Sequence, residues 1–491
     1  ILDLAERLPD DWSGMMNRSS LQEDFGALRF QLAYMSYALA LTHVHRLPAA
    51  PAVFRAPFQR LIEKMLSPDV WTYWRHVSTG NGPMNKSLGE LPPQWNPVHD
   101  DNIMYSAYIQ SMALLYHYLF DDPKYAQPGA LTFKIEPLYW GDGGESFEYD
   151  EKSLNQRLYW QMVEKGYLGI ACEPNCVFQI CNQPAILGFR MHDLVYGGSI
   201  AEEVTEGYKQ AWSEFGITRE NGHFNILVME KEHELLEPPP QGWADFWLGS
   251  LINMWNPEIV KSNFPAQIAH WRRDAPEGSM WIEPSVKPEG FGPPLTHAYD
   301  FGWAAVCASE VGDADSLDRL LKYADMFMDP VWDNGAYFYP RRDGWFDDQG
   351  RLAAMDPHTG NALLGYARLN VPDGLNKLYN NPLTKAHFAQ PALVDMSEGI
   401  EVREARYHPD TRSLNIAMRP GRCREGFFDL SFANFWGRGS WSLLIDDEVA
   451  VEGNDSEVTS SGRAEAHRNG DRLDLRLPAG DHRLEVVWNE A

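Results

Sequence analysis

Between about residues 20 and 385, hydrophobic side chains recur at i, i+3, i+4 and i+7, the spacing that places them on one face of a helix. This pattern predicts ten helices, over residues 28–45, 59–66, 101–120, 154–166, 185–196, 200–215, 243–255, 301–311, 317–328 and 361–369. Short strands are predicted at 223–229 and 337–339, among long loops rich in Gly, Pro and Trp. Paired helices with such loops predict an (α/α)6 barrel, a toroid whose inner helices converge on a central cavity. A plain helical bundle is the simpler alternative.

After about residue 392 the hydrophobic period changes from 3.6 to 2. Apolar and polar residues alternate over 413–418, 426–435, 441–452, 472–478 and 482–488, with turns such as Asn469-Gly470 between them. Alternation of this kind predicts a small antiparallel β-sandwich that follows a linker near 382–391. We therefore predict an (α/α)6-barrel catalytic domain over residues 1–390 and a C-terminal β-sandwich domain over residues 391–491.

Composition and charge narrow the classes of partner. The 491 residues are 44% hydrophobic and 23% charged, which is typical of a globular protein and excludes intrinsic disorder. Lys and Arg number 42 against 69 Asp and Glu, a net charge of −27, so nucleic acid and membrane surfaces are poor partners. No stretch approaches the roughly 20 apolar residues of a membrane span. We expect a cytoplasmic protein, although a targeting segment removed ahead of Ile1 stays open.

Three of the five cysteines fall within ten residues, at Cys172, Cys176 and Cys181. Pro174 and Pro184 argue against one continuous helix through them, and Asn182 as N-cap predicts a helix that begins there. Residues 172–181 would then form an irregular strip across the barrel mouth that aims two thiols at one cavity. Three interpretations stay open: a zinc site, small buried hydrophobic residues, or proton donors and acceptors. The spacing fits zinc poorly, so we predict no metal.

Four motifs carry a resemblance to a known family: residues 31–37 (QLAYMSY), 70–74 (VWTYW), 102–105 (NIMY) and the Cys-Glu-Pro…Cys-Asn strip at 172–182. Over roughly residues 28–370 the chain resembles the linalool dehydratase-isomerase family of (α/α)6 barrels. The resemblance implies dehydration of a tertiary allylic terpene alcohol to a diene and its isomerisation to a primary alcohol. It also implies catalysis without a cofactor by an Asp, a Tyr, a His and two Cys, and it makes a homo-oligomer an expectation.

Only part of the family's catalytic set matches. The two cysteines fall on Cys172 and Cys181, whereas the Asp falls on Leu39, the Tyr on His45 and the His on Tyr108. The chain therefore resembles a divergent member, with an added C-terminal β-domain and an altered set of proton-transfer residues.

These matches define the candidate site. The catalytic candidates are Cys172, Cys181, Tyr108, His45 and Glu173, with His45 and Tyr108 as a hydrogen-bonded donor and acceptor pair. For each, ordinary packing or surface exposure is the alternative. The substrate-binding candidates, some of them aromatic residues that would shield a carbocation, are Tyr37, Leu39, Met104, Tyr105, Phe178, Trp243 and Trp247. Asp100 and Asp101 are interpreted as helix-capping residues, and His297 and Asp300 as surface residues.

The leading hypothesis is a cofactor-free lyase, isomerase or cyclase that acts on a small hydrophobic isoprenoid or prenylated substrate of secondary metabolism. Protonation of an alkene or allylic alcohol would lead to dehydration, or to intramolecular hydroalkoxylation that forms a cyclic ether. One alternative is a carbohydrate-active (α/α)6 enzyme, a glycoside hydrolase or lyase, which needs two carboxylates about 5–10 Å apart. Another is a non-catalytic protein that binds hydrophobic ligands.

Overall fold

A computed structural model describes residues 1–15, 22, 25–141, 143–285, 299–421 and 426–489. The chain divides into two compact units. The first comprises Ile1–Ala38, Gln59–Val331 and Tyr337–Pro382, and the second comprises Leu39–Phe58, Trp332–Ala336 and Leu383–Ala491. The second unit therefore draws on segments far from the C-terminus as well as on the predicted β-domain.

Twelve helices of the described chain alternate between inner and outer positions in the barrel. In chain order they are α1 (Leu28–His45), α2 (Arg55–Met65), α3 (Ile103–Phe120), α4 (Glu151–Glu164), α5 (Gln179–Tyr196), α6 (Ile200–Trp212), α7 (Gly242–Ile252), α8 (Pro257–Trp271), α9 (Tyr299–Val311), α10 (Ala314–Phe327), α11 (a π-helical turn His358–Leu363 continued by Leu364–Leu369) and α12 (Gly374–Asn380).

The odd-numbered helices are inner helices and the even-numbered ones are outer helices. In α3 every residue except His117 is buried, as expected of a helix that is apolar all round and lies inside a protein. In α6 the buried residues form one stripe that includes Val204, Tyr208 and Trp212, because its other face meets solvent.

The six inner helices close into a ring. Tyr34 of α1 contacts Tyr108 of α3, and Gly188 of α5 leaves room for Gln110 of α3. α5 packs against α7, α7 against α9, and α9 against α11. The ring closes because Tyr366 of α11 packs against Tyr34, with ring centroids 6.5 Å apart. The predicted (α/α)6 barrel is confirmed.

Loop lengths determine which end of the barrel carries the long segments. Several connections from an inner to the following outer helix are short, such as 197–199, 253–256 and 312–313, so these neighbours run antiparallel and the inner helices run parallel. The connections back to the next inner helix are long, as over 66–102, 213–241 and 328–357. The long segments therefore meet where the inner helices begin.

Smaller elements lie in the connections. Short helices are Leu2–Glu6, Pro68–Trp71, Trp74–Val77 and Lys385–Phe388, and 3-10 turns are Pro51–Val53, Lys86–Leu88, Pro123–Ala126 and Pro276–Gly278. The strands are Leu131–Ile135, Glu145–Tyr149, Cys176–Phe178, Leu227–Met229, Glu234–Leu236, Arg272–Asp274, Met280–Ile282, Val331–Asp333 and Ala336–Phe338.

The predicted start of α5 is wrong. The helix begins at Gln179, with Phe178 as N-cap, so Cys181 lies in its first turn. Pro184 is the sixth residue of the helix, beyond the first turn whose N–H groups lack helical partners. The helix therefore continues through it without the hydrogen bond that an N–H there would donate to the Ile180 carbonyl. The Asn182 side chain does not cap the helix. It binds the backbone of Ile170 through both its oxygen and its nitrogen. Helices α8 and α12 were not predicted, and in α8 Pro265 lies inside the helix.

The C-terminal region contains ten antiparallel strands in two sheets. They are β1 (Ala392–Met396), β2 (Ile400–His408), β3 (Ser413–Pro420), β4 (Phe427–Ala433), β5 (Trp441–Ile445), β6 (Glu448–Gly453), β7 (Val458–Ser460), β8 (Glu465–Asn469), β9 (Arg472–Pro478) and β10 (His482–Trp488). The four-stranded sheet has the order β1-β4-β9-β8, and the six-stranded sheet has the order β2-β3-β10-β5-β6-β7.

Alternate residues of these strands form the core between the sheets. In β9, for example, Leu473, Leu475 and Leu477 are buried while their neighbours are more exposed. The predicted strand over 441–452 is instead a hairpin. Asp446 and Asp447 both have positive φ, at 52° and 67°, which is the geometry of a tight two-residue turn.

Candidate active site

The first turns of the inner helices bring polar and aromatic side chains to one end of the barrel. Each inner helix contributes a residue from its first three positions: Arg29, Met104, Cys181, Trp243, Asp300 and His358. All six are buried. Because the inner helices run parallel, their positive N-terminal dipole ends also meet here, which favours negative charge that develops at this end.

Cys172 and Cys181, here called the thiol pair, lie close enough to shift each other's pKa and are 1% and 5% exposed. Both are free thiols. Cys172 lies in the segment before α5, where its backbone N–H donates to the Cys176 carbonyl at 2.9 Å. Asn182 fixes the same segment, since its side chain accepts from the Ile170 N–H at 2.8 Å and donates to the Ile170 carbonyl at 3.0 Å. The pair is therefore placed by the backbone.

Burial raises the pKa of both thiols above the ordinary value, so they stay protonated at neutral pH. The interaction between the two thiols raises the pKa of Cys172 further and offsets part of the rise at Cys181. Glu173 raises the pKa of both thiols, whereas the positive charge of Arg29 lowers it.

Arg29 is a buried cation that the sequence analysis missed. Its guanidinium donates to the Met104 sulfur at 2.8 Å and to the carbonyl of Gln22. The same group lies 4.5 Å from the ring centroid of Phe30 and 4.1 Å from that of Tyr73. Among the described residues it forms no ion pair with a carboxylate, and its charge lowers the pKa of both thiols. A lone charged residue at the start of an otherwise apolar helix was the available signal.

Four residues, here called the aromatic floor, lie one turn deeper: Tyr34, Tyr108, Trp247 and Trp303. The Tyr34 hydroxyl is 3.3 Å from that of Tyr108 and accepts a hydrogen bond from the indole N–H of Trp247. Trp247 stacks on Trp303, with centroids 4.5 Å apart and planes 7° apart. Burial raises the pKa of both tyrosines, and a charge on Cys181 raises it further, which places Cys181 within electrostatic reach of this floor.

Trp243 and Asp300 lie above the floor. The Trp243 ring is 4.6 Å from Phe25 and 6.4 Å from Trp247. Asp300 is buried, not exposed as predicted, because its carboxylate accepts from the Trp243 N–H and the Ser285 hydroxyl, both at 2.6 Å. Burial raises the pKa of Asp300 to about 6. His297 and Cys423 lie outside the described residues.

One catalytic candidate lies away from its predicted partner, and two substrate-binding candidates have hydroxyls that are already hydrogen-bonded. The hydroxyl beside Tyr108 belongs to Tyr34, and His45 is the last residue of α1, about 16 Å of helix rise beyond Tyr34. The predicted His45–Tyr108 hydrogen bond is therefore wrong. The Tyr105 hydroxyl donates to the Met65 carbonyl at 2.7 Å, so it is occupied by α2. The Tyr37 hydroxyl is likewise paired, at 2.6 Å from the Ser111 hydroxyl.

The remaining candidates are also located. Leu39 is buried in α1, and Phe178 is the half-buried N-cap of α5. The predicted capping role of Asp100 and Asp101 is wrong, because Asn102 is the N-cap of α3. Asp100 instead forms an exposed ion pair with Arg157 at 2.7 Å.

Within the described ranges, no group of three His, Cys, Asp or Glu side chains is arranged to hold a metal ion. Over the same ranges, no helix combines the length and apolar character that crossing a membrane requires.

Comparison with known proteins gives one family. The family model described as linalool dehydratase/isomerase matches residues 29–345, which is well over half of the chain and includes the thiol pair and the aromatic floor.

Similar solved structures include three enzymes. An α-amylase from Clostridium perfringens is 12% identical, at TM-score 0.41, with 75% of this chain and 96% of that chain covered. An endoglucanase from Clostridium thermocellum, complexed with cellotriose, is 8% identical, at TM-score 0.33, with 94% and 84% covered. A β-L-arabinofuranosidase from Geobacillus stearothermophilus is 10% identical, at TM-score 0.30, with 99% and 77% covered. At such scores these likenesses carry no argument about function.

Proposed function

Because the chain belongs to the linalool dehydratase/isomerase family, we propose that it is a terpenoid-acting lyase or isomerase in which Cys181 protonates an isoprenoid alkene. The observation that carries the proposal is the pair of buried free thiols, Cys172 and Cys181, at the end of the barrel where the inner helices begin. Leu39 occupies the position of the family's catalytic Asp. We therefore assign proton transfer to the thiols and to the residues that replace the family's other catalytic groups.

Cys181 is suited to give up its proton because three features stabilise the thiolate left behind. The Cys172 thiol and the positive charge of Arg29 both lower the pKa of Cys181. Cys181 also lies in the first turn of α5, where the helix dipole favours a negative charge. Burial keeps the thiol protonated until the substrate is in place, so the proton is available at neutral pH.

The aromatic side chains near the thiol pair suit the carbocation that protonation produces. The floor residues Trp247 and Trp303, with Trp243 above them, provide π faces that attract positive charge. In hydroalkoxylation the hydroxyl oxygen of the same substrate forms a C–O bond to the cationic carbon and loses its proton, so the product is an isomeric cyclic ether. In dehydration the protonated hydroxyl leaves as water, and a neighbouring C–H proton returns to the thiolate, giving a diene.

The carbohydrate alternative lacks an observation of its own. Its chemistry needs two carboxylates that face each other across the substrate. Among the six residues that begin the inner helices one is an acid, Asp300, and its oxygens already accept hydrogen bonds from Trp243 and Ser285. These six residues therefore do not provide such a carboxylate pair.

The proposal is tested by incubating the enzyme with two probes, linalool and 2-prenylphenol, without added cofactor. Mass spectrometry distinguishes loss of water from isomerisation, and gas chromatography identifies a diene, a primary alcohol or a cyclic ether. We expect product from at least one probe, and loss of at least 100-fold in kcat for Cys181→Ala.

A matched control is Cys307→Ala, because Cys307 is a buried free cysteine on α9 that forms no part of the thiol pair. It should keep kcat near that of the unaltered enzyme. Equal turnover by Cys181→Ala and Cys307→Ala, at unchanged melting temperature, would show that the proton comes from another group. Hydrolysis of an oligosaccharide without turnover of either probe would favour the carbohydrate alternative.

A further inference from the structure

Trp303 of the aromatic floor and His358, at the start of α11, are buried polar side chains whose ring nitrogens have no partner among the described residues. Within that part of the chain, the indole Nε1 of Trp303 and both imidazole nitrogens of His358 are enclosed and make no hydrogen bond. The two ring centroids lie 5.9 Å apart. Leaving one such group unpaired costs about 1–3 kcal/mol, and most buried polar groups in native proteins have partners. A ligand that supplies the missing partners would account for this arrangement.

Both side chains are held in place by their surroundings. Trp303 is stacked on Trp247, and its edge contacts the ring of Tyr34 with centroids 4.5 Å apart. His358 begins the π-helical turn of α11, and such turns are frequent at functional sites. Thr359 secures that turn, since its N–H and hydroxyl donate to the Asp356 carboxylate at 2.8 and 3.0 Å.

Close packing between α9 and α11 also supports the position of His358. A side chain at Gly302 would lie 2.7 Å from a Leu363 methyl and 3.0 Å from the Thr359 methyl, so the glycine lets the helices approach. The unpaired nitrogens therefore belong to a rigid part of the barrel, because neither ring is free to turn towards another partner.

We propose that Trp303 and His358 form a hydrogen-bonding subsite for a hydroxyl group of the substrate, an inference that rests on the proposed function. A hydroxyl oxygen accepts from the indole N–H, and its proton is donated to an imidazole nitrogen. Burial lowers the pKa of His358 to about 3, so the ring is neutral and keeps a free lone pair at neutral pH. An ammonium group has no lone pair to accept from the indole N–H. A carboxylate can accept from the indole and imidazole N–H groups, but its charge is disfavoured in a buried subsite, whereas a neutral hydroxyl meets both side chains without that cost.

The position of the subsite relative to the thiol pair fits a substrate that spans the barrel. Cys181 lies on the third inner helix and His358 on the sixth, which are opposite each other in a ring of six. An alkene near Cys181 and a hydroxyl near His358 then belong to the two ends of one small molecule. When the hydroxyl oxygen forms the C–O bond, its O–H bond breaks and the proton passes to His358. Return of a proton from this imidazolium to the Cys181 thiolate regenerates both groups.

The subsite is tested by binding, in the Cys181→Ala enzyme, which removes the proposed proton donor. Isothermal titration calorimetry with linalool and with its methyl ether gives a ratio of two Kd values. The ether keeps the oxygen lone pairs but has no proton to donate. We expect linalool to bind roughly 10-fold more tightly than the ether, and this preference to fall to within about 2-fold in His358→Phe. Trp303→Phe keeps an aromatic ring but removes the N–H, and should weaken binding of both probes roughly 10-fold.

Trp441→Phe is the matched control, because Trp441 is a buried tryptophan of the β-region whose Nε1 also lacks a partner. It should leave both Kd values unchanged. The proposal is overturned if linalool and its ether bind equally or not at all before substitution. It is also overturned if linalool keeps its preference over the ether in His358→Phe and both Kd values stay unchanged in Trp303→Phe. If one of these variants does not fold, the result from the other decides. If the Cys181→Ala enzyme binds linalool more tightly than its ether but the unaltered enzyme turns over neither probe, the proposed function is refuted and the subsite proposal is not.

Discussion

Replacement of Cys172 by Ala tests whether this residue acts through its neighbour. The change removes the thiol that lowers the pKa of Cys181 and leaves the proposed proton donor itself intact. A hydrogen bond to a charged group is worth about 1.5–3 kcal/mol, and tenfold in rate corresponds to about 1.4 kcal/mol. If the Cys172 thiol donates such a bond to the thiolate that forms in the transition state, its loss should lower kcat by roughly 10- to 150-fold.

Steady-state turnover of a responsive probe, with each variant checked for its melting temperature, measures this loss. Cys181→Ala should lose more, roughly 100- to 10,000-fold, because it removes the transferred proton. Cys172→Ser restores an O–H donor and should recover a large part of the rate. The role of Cys172 as a hydrogen-bond donor to Cys181 would be refuted if Cys172→Ala kept the rate of the unaltered enzyme. It would also be refuted if Cys172→Ser were as slow as Cys172→Ala at equal melting temperature.

Three further predictions concern charge, stability and metals. Arg29→Met removes the positive charge that lowers the pKa of both thiols, so kcat should fall roughly 10-fold with a smaller change in KM, and an unchanged kcat would contradict this. Burial raises the pKa of Glu310 from 4.5 to about 7, so the folded chain keeps a proton there that the unfolded chain has released. Stability should therefore fall by up to about 3 kcal/mol as the pH rises from 4.5 to 7, and Glu310→Gln should remove this fall in chemical denaturation. Parallel stability curves would contradict that expectation. Exhaustive chelation should leave turnover unchanged, and a loss restored by Zn²⁺ would show a metal site.

Helices and strands whose hydrophobic residues recur with a regular period could be predicted from the sequence. The bounds of α1 agree with the prediction at both ends, and the strands Arg472–Pro478 and His482–Trp488 do so as well. In each, the apolar residues follow the period of the element along its whole length, so neighbours in sequence suffice to define it. Where a proline interrupts the pattern, as Pro184 does in α5 and Pro265 in α8, the same reasoning placed the start too late or missed the helix.

The thiol pair was a candidate before the structure because its segment is distinctive in sequence and resembles a known family. Arg29, Trp303 and His358 had no comparable local signal, since each is a single residue on a helix whose other residues explain its fold. The sequence by itself determined the helical and β-strand regions, the change of period near residue 392 and the cysteine strip, because these depend on residues a few positions apart. Only the closed ring of helices decided that Tyr108 meets Tyr34 and not His45, and that the ring nitrogens of Trp303 and His358 are buried without partners among the described residues. Such contacts depend on how distant helices pack, and no local periodicity encodes that packing.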